Sequence, residues 1–152
     1  MLPDTNDRVL AHSPASANRR IADRTARRVN DAAASVAALR QQLRELDDEW
    51  DVERALEANA GTIAFLGAVL ALTVDRRFAL VPAVVGGFLV QHALQGWCPP
   101  LPLMRLAGLR TAREIGLERT ALKALRGDFA SVPSEGEPHA RAAASLRAAA
   151  QS

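Results

Sequence analysis

Two uncharged apolar runs, separated by three charged residues, constrain this chain more than any other feature. The first run, Ala60–Val74, has fifteen residues, and the second, Phe78–Leu94, has seventeen. With their flanks they extend over Leu56–Val74 and Phe78–Trp97, which are nineteen and twenty residues long. A helix of about 20 apolar residues spans the ~30 Å core of a bilayer, whereas about 10–14 more often mark a buried core helix. Length alone leaves both interpretations open.

The rest of the chain favours a membrane hairpin over a soluble helical bundle. Neither run has a polar face, so a soluble protein would have to cover both helices on every side. The remainder offers one narrow apolar stripe, one short amphipathic segment and alanine-rich tails, and aromatic residues make up only 4% of the chain. We therefore predict an all-α protein in which residues 58–97 form a two-helix transmembrane hairpin (about 58–74 and 78–97) turning at Asp75-Arg76-Arg77. The soluble bundle is the alternative.

Small residues recur every three or four positions along one side of each predicted span. Such faces let helix backbones approach closely in lipid, where no hydrophobic force drives the helices together. The pattern predicts helix-packing faces, and it leaves open whether they pack within the hairpin or between protomers. The residues are Ala60, Ala64, Gly67, Ala68 and Ala71 in the first span, and Ala83, Gly86 and Gly87 in the second.

A long amphipathic helix is predicted over residues 14–57, after a disordered lead over residues 1–13. From Pro14 onwards the segment has no further proline and no glycine. Its apolar residues fit a heptad, which predicts a coiled coil or a helix docked on another helix. A helix lying on the membrane surface is the alternative, but acidic residues flank the stripe and anionic lipid would repel them. The heptad positions are Ala22, Val29, Val36, Leu43 and Trp50, with Thr25, Ala32, Leu39 and Leu46 as the partner set.

Charge is strongly partitioned behind a net charge of +2. Residues 8–28 carry a local charge of +5, residues 31–57 carry −5 and residues 98–129 carry +3. A basic run followed by an acidic run disfavours nucleic-acid binding, which concentrates basic charge on one face. Six arginines flank the spans against two in the turn, which predicts that both termini lie in the cytoplasm.

Residues 98–129 are predicted to form a juxtamembrane loop and a capped amphipathic helix, and residues 130–152 a flexible tail. Thr111-Ala112-Arg113-Glu114 fits a capping box, in which the hydroxyl and the carboxylate satisfy each other's backbone donors. Gly127 occupies the position of a helix C-cap.

The charges near the predicted membrane exits complement each other. We expect the C-terminal helix to fold back on the end of the N-terminal helix, so that acidic residues 47–57 face basic residues 105–113. The apolar contact beneath these charges would join Leu46 and Trp50 to Ile115 and Leu122.

One cluster of polar and motif residues is the candidate site. Polar groups inside a span are functional candidates by default, but these lie at the cytoplasmic end, where hydrogen bonding between helices is the expected role. A path for an ion or small solute is the alternative. No catalytic residue, cofactor or metal site is predicted. The cluster comprises Asn59, Gln91, His92, Gln95, Gly96, Cys98 and Pro99.

Cys98 is the single cysteine of the sequence, which fits a reducing compartment. It follows a helix C-terminus, where the negative end of the dipole disfavours a thiolate. We interpret it as a small structural residue at the helix exit. Redox sensing or persulfide handling is the alternative.

The stretch from about Glu53 to Gly108 resembles the YgaP-like inner-membrane family, on the basis of two short apolar helices, a minimal turn and Gly96-x-Cys98-Pro99 followed by Leu106-x-Gly108. The resemblance covers about a third of the chain. It implies an inner-membrane hairpin that dimerises, with no established activity for the membrane domain itself. Members that carry a rhodanese domain use that domain's own cysteine loop, which this sequence lacks.

These observations predict a non-enzymatic, membrane-anchored scaffold that self-associates. Its expected partners are the lipid bilayer, further copies of the chain and a protein bound through residues 36–57, with no nucleic acid. The alternatives are a sulfur or redox accessory protein acting through Cys98, and a small oligomeric transport component.

Overall fold

The computed structural model describes the backbone of residues 5–151 and the side chains of residues 8–150. Over this range the chain forms eight α-helices and no β-strand, so the all-α prediction is confirmed. The helices are α1 (Thr5–Ala11), α2 (Ala15–Ala32), α3 (Val36–Asp48), α4 (Val52–Thr73), α5 (Leu80–Gln95), α6 (Leu101–Ala107), α7 (Ala112–Arg126) and α8 (Pro138–Gln151), with a 3₁₀ turn, Arg76–Ala79, before α5.

Contacts divide the chain into two compact units. The first unit comprises Met1–Ala22 and Trp50–Glu114, and the second comprises Asp23–Glu49 and Ile115–Ser152. The three boundaries fall inside α2, between α3 and α4, and inside α7, so neither unit corresponds to a continuous stretch of sequence.

The apolar pair, α4 and α5, carries both apolar runs and belongs to the first unit. The helices contact each other and are joined by a short turn that begins at Asp75. The Asp75 carboxylate accepts a hydrogen bond from the Arg77 N–H at 2.8 Å, which starts the 3₁₀ turn that leads into α5. Pro82 is the third residue of α5, where a missing N–H breaks no helical hydrogen bond.

Both segments are long and apolar enough to cross a membrane. In the most apolar 18 residues of Val52–Thr73 only 11% are buried, and in those of Arg76–Gln95 only 6%. A helix that is apolar on all sides is covered by protein or by lipid. The protein leaves most of this apolar surface open.

The base of the first unit is a small apolar cluster formed by α1, the start of α4, and α6 with the segment before it. Its buried members are Val9, Val52, Leu56, Cys98 and Leu101. The Val52 N–H donates to the Arg110 carbonyl at 2.8 Å, which ties α4 to the segment before α7. The prediction of a disordered lead over 1–13 is therefore wrong for residues 5–11, which form α1 and bury Val9 completely. Residues 1–4 lie outside the described range.

The predicted uninterrupted helix over residues 14–57 is also wrong, because it breaks twice. The first break precedes α3, where the Ser35 hydroxyl accepts from the Ala38 N–H at 3.1 Å. The second precedes α4, where the Asp51 carboxylate accepts from the Arg54 N–H at 2.6 Å. Ser and Asp satisfy the orphan donors of a helix start, so each ends the preceding helix without glycine or proline.

The second unit is built on contacts between α3 and α7. Leu39, Leu43 and Leu46 share one buried cluster with Ile115 and Leu122. The expected contact of Leu46 with the C-terminal helix is therefore present. The ion pair beside this contact differs from the prediction, which set acidic residues 47–57 against basic residues 105–113. Asp47 pairs instead with Arg119, at 2.8 Å.

Trp50 does not take part in the predicted apolar contact. Its side chain is 49% exposed, and the Arg54 guanidinium lies over the ring at 4.4 Å from the centroid. This is a cation–π contact, not a core contact.

The ends of α7 follow the sequence prediction closely. The Glu114 N–H donates to the Thr111 hydroxyl at 3.2 Å, and the Thr111 N–H donates to the Glu114 carboxylate at 2.8 Å. Gly127 has φ of 86° and forms the C-terminal cap. Two expectations differ: α6 occupies part of the predicted loop, and α8 forms within the predicted tail.

Candidate functional site

The predicted polar cluster does not converge on one point. His92 is buried, Gln91 is half-buried, and Gln95 and Asn59 are exposed. Among the described residues, the His92 Nδ1 atom has no hydrogen-bond partner. The cluster therefore contains no assembled polar centre, and hydrogen bonds between α4 and α5 through these side chains stay a prediction.

Gly96 has a specific backbone role at the end of α5. Its φ is 70°, a left-handed conformation that favours glycine, and its N–H donates to the His92 carbonyl at 2.7 Å. A Cβ atom at this position would collide with the Arg8 side chain on α1. Glycine therefore both ends α5 and lets α1 approach it.

Arg8 caps the same helix end from α1. Its guanidinium donates to the Leu94 carbonyl at 2.6 Å and to the Ala93 carbonyl at 3.4 Å. A cation is favourable where helix carbonyls lack partners, because the dipole is negative there. Arg8 was not a candidate from sequence, since its partners are 86 and 85 residues away.

Cys98 is 2% exposed and lies in the apolar base beside Val52 and Leu101. Burial raises the pKa of the thiol, and this outweighs the opposite effect of the Leu101 backbone hydrogen bond. A buried, protonated thiol is a poor nucleophile. The geometry suits the structural interpretation of Cys98.

An apolar cavity of about 170 Å³ opens between α4, α5 and the Cys98–Pro100 segment. Asn59 and Cys98 provide polar atoms in a lining dominated by aliphatic and aromatic side chains such as Ile63 and Phe88. Asn59, Cys98 and Pro99 are the members of the predicted cluster that line it. Its lining contains no charged side chain and no histidine, and the one thiol in it, Cys98, is the buried group described above.

The two small-residue faces have different environments. On α4, Ala60 and Gly67 are buried, and a Cβ at Gly67 would lie 2.7 Å from the Val81 Cβ. On α5, Ala83 and Gly87 are exposed, and Cβ atoms at Gly86 and Gly87 would meet nothing within 4 Å. The α4 face therefore packs on α5, while the α5 face points away from α4.

Asn18, Arg105 and Glu114 of the first unit form a hydrogen-bonded ionic cluster, which we call the polar knot. Arg105 is completely buried. Its Nη1 and Nη2 atoms donate to the Glu114 carboxylate at 2.6 and 2.9 Å, and Nη2 donates to Asn18 Oδ1 at 2.8 Å. Nη1 also donates to the Leu109 carbonyl at 3.1 Å. This bidentate geometry fixes α2, α6 and α7 to one another within the unit.

The knot also shifts the Glu114 titration. Burial acts to raise the pKa of this carboxyl, but the Arg105 hydrogen bonds and the Thr111 backbone donor together lower it below its ordinary value. The sequence predicts Glu114 only as a cap, and it predicts Arg105 as a flanking charge that faces acidic residues 47–57, whereas Arg105 pairs with Glu114. Asn18 lies 87 residues from Arg105, so no local pattern predicts their contact.

Among the residues that the structure describes, no group of three or more His, Cys, Asp or Glu side chains is arranged to hold a metal ion. No protein-family model, curated protein or solved structure matches the chain.

Proposed function

We propose that the chain is a non-enzymatic, membrane-anchored scaffold. The observation that carries the proposal is the uncovered surface of the apolar pair. In an apolar 18-residue stretch of Val52–Thr73 only 11% of the residues are buried, and in that of Arg76–Gln95 only 6%. Large exposed apolar surfaces on a folded protein mark a membrane or an interface. In this proposal α4 and α5 cross the inner membrane as a hairpin.

The length of the first apolar helix supports a crossing in which the bilayer is locally thin. The sixteen uncharged residues from Ala58 to Thr73 span about 24 Å at 1.5 Å per residue, against a ~30 Å hydrocarbon core. A shortfall of this size is accommodated by local thinning of the bilayer or by flanking side chains that reach the interface. Asp75, Arg76 and Arg77 then lie at one surface, and Glu53, Arg54 and Glu57 at the other.

We place both termini in the cytoplasm, because the flanking arginines outnumber those of the turn. The resemblance of the exit segment to the YgaP-like family supports the same arrangement, and it remains part of this proposal. The buried thiol of Cys98 argues against the sulfur or redox alternative.

Alkaline carbonate extraction of native membranes tests the anchor. We expect the protein in the pellet with integral proteins, and its release into the supernatant would overturn the proposal. Topology is read with a C-terminal fusion that is active only in the periplasm or only in the cytoplasm. Activity of the periplasmic reporter would overturn the orientation.

We further propose that self-association uses the exposed small-residue face of α5. The face is unoccupied by α4, and small residues let two helices approach closely in lipid. Association with a protein partner through residues 36–57 stays a prediction. Of that segment, the side chains of Val36 and Trp50 are exposed.

A further inference from the structure

The second unit contains a polar groove of about 400 Å³ between α3 and α7. Each helix contributes charged side chains at successive turns, from positions i, i+4 and i+7. Its charged lining consists of Arg40, Arg44, Asp47, Arg119, Lys123 and Arg126. Five cations therefore face one carboxylate in a single concave site.

The two arginines of α3 have unused donors. Among the described residues, the Arg40 and Arg44 side chains make no hydrogen bond or ion pair, although both line the groove. They lie one helical turn apart, and like charges at this spacing repel each other. An anion between them would relieve the repulsion.

The cations of α7 are partly engaged by carboxylates. Arg119 pairs with Asp47 at 2.8 Å and donates to the Leu46 carbonyl at 3.2 Å, but its Nε atom has no partner among the described residues. Arg126 forms a two-pronged pair with Asp128 at 2.7 and 2.5 Å. Asp47 therefore already neutralises part of the positive charge of the groove.

We propose that this groove binds a phosphate-bearing polyanion. Guanidinium groups match phosphate oxygens in fork geometry, and several of them together favour a ligand with more than one negative charge. The volume lies within the usual range of small-ligand sites, about 300–1,000 Å³. The shared chemistry is a dianionic phosphate group, carried by a soluble phosphate compound or by an anionic lipid.

The test is calorimetric titration of the full-length protein in a non-ionic detergent. One arm uses inorganic pyrophosphate, and the other uses short-chain phosphatidic acid below its micelle concentration, with short-chain phosphatidylcholine as the neutral control. We expect saturable binding in at least one arm, weakened by added salt as for any partly exposed charge pair.

Variants locate the binding to the groove. Arg40→Gln with Lys123→Gln should weaken binding about twenty-five-fold, at roughly fivefold for each cation removed. The matched control is Arg27→Gln, which removes an exposed arginine of α2 that does not line the groove. Asp47→Asn should strengthen binding about fivefold, because it frees Arg119 and removes the only carboxylate of the lining.

Each outcome has one meaning. Binding of pyrophosphate assigns the groove to soluble phosphates, and binding of phosphatidic acid alone assigns it to anionic lipid. Absence of saturable binding in both arms overturns the proposal, as does an equal loss in Arg27→Gln. Because the groove lies within the second unit, this result is independent of the carbonate extraction that tests the membrane anchor.

Discussion

The apolar pair and the polar knot reverse the arrangement expected of a soluble domain. The pair exposes leucine, valine and phenylalanine side chains, whereas the knot buries Arg105 completely beside a Glu114 side chain that is 18% exposed. In a soluble protein, large exposed apolar patches and fully buried charges are each exceptional. The difference is that protein contacts hold the knot together, whereas the described residues leave most of the apolar surface of the pair uncovered.

The largest expected effect comes from breaking the knot. Arg105→Met leaves the Glu114 carboxylate, which is only 18% exposed, without its cation and removes the bond to Asn18. Loss of one partner from a buried pair destabilises by about 3 kcal/mol or more. Thermal unfolding in detergent measures the change, with the exposed Arg19→Met as control. Similar midpoints for the two variants would show that the knot contributes little.

A double variant sharpens this measurement. Arg105→Met with Glu114→Gln removes the unpaired carboxylate while keeping an amide that caps α7. It should recover part of the stability lost in Arg105→Met, because an uncompensated buried charge is the main penalty. No recovery would mean that the loss arises from packing alone.

The second effect tests packing inside the apolar pair. Gly67→Leu places side-chain atoms where Val81 already lies, since even a Cβ would be 2.7 Å from the Val81 Cβ. Overpacking of this kind destabilises by about 2 kcal/mol. Gly61→Leu is the matched control on the same helix, because a Cβ there meets nothing within 4 Å. If both variants unfold at the wild-type temperature, the contact between α4 and α5 is not as close as described.

The third effect concerns the exposed small-residue face of α5. Gly87→Leu should leave the unfolding temperature unchanged but weaken self-association about fivefold, near 1 kcal/mol, by preventing close approach of two α5 helices. Energy transfer between labelled copies in liposomes reports the dimer fraction, again with Gly61→Leu as control. Equal dimer fractions in wild type and Gly87→Leu would exclude this face as the contact.

The smallest effect is a pH dependence of the knot. The folded-state pKa of Glu114 is below its ordinary value. The stability that the ionised carboxylate contributes is therefore fully present when the pH is above the ordinary pKa, and it is lost as the pH falls through the folded-state pKa. The unfolding midpoint should therefore decline on acidification below about pH 4.5. The unfolding midpoint of Glu114→Gln should decline less steeply over the same pH interval. A parallel decline in both proteins would assign the acid sensitivity to other carboxyls.

Sequence patterns predicted the features that depend on neighbours along the chain. The apolar runs, the Thr111–Glu114 capping box and the Gly127 cap all rest on contacts within a few residues. The helix breaks at Ser35 and Asp51 were also locally encoded, but the heptad through Ala32 and Val36 favoured a continuous helix over the capping signal.

The polar knot and the α1 cap could not be predicted, because their partners are far apart in sequence. Asn18 to Arg105 and Arg8 to Leu94 each join residues more than 80 positions apart. No local sequence pattern distinguishes these polar side chains from solvent-exposed polar side chains nearby. Only the fold shows which arginines are buried.

The bond from Arg8 to the Leu94 carbonyl sets an order of events during biosynthesis. Residues separated by 86 positions leave the ribosome roughly 4 to 17 s apart at about 5–20 residues per second. Throughout that interval α1 has no helix end to cap, because α5 follows it in the sequence. The contact of α1 with the end of α5 can therefore form only after both apolar helices have been synthesised.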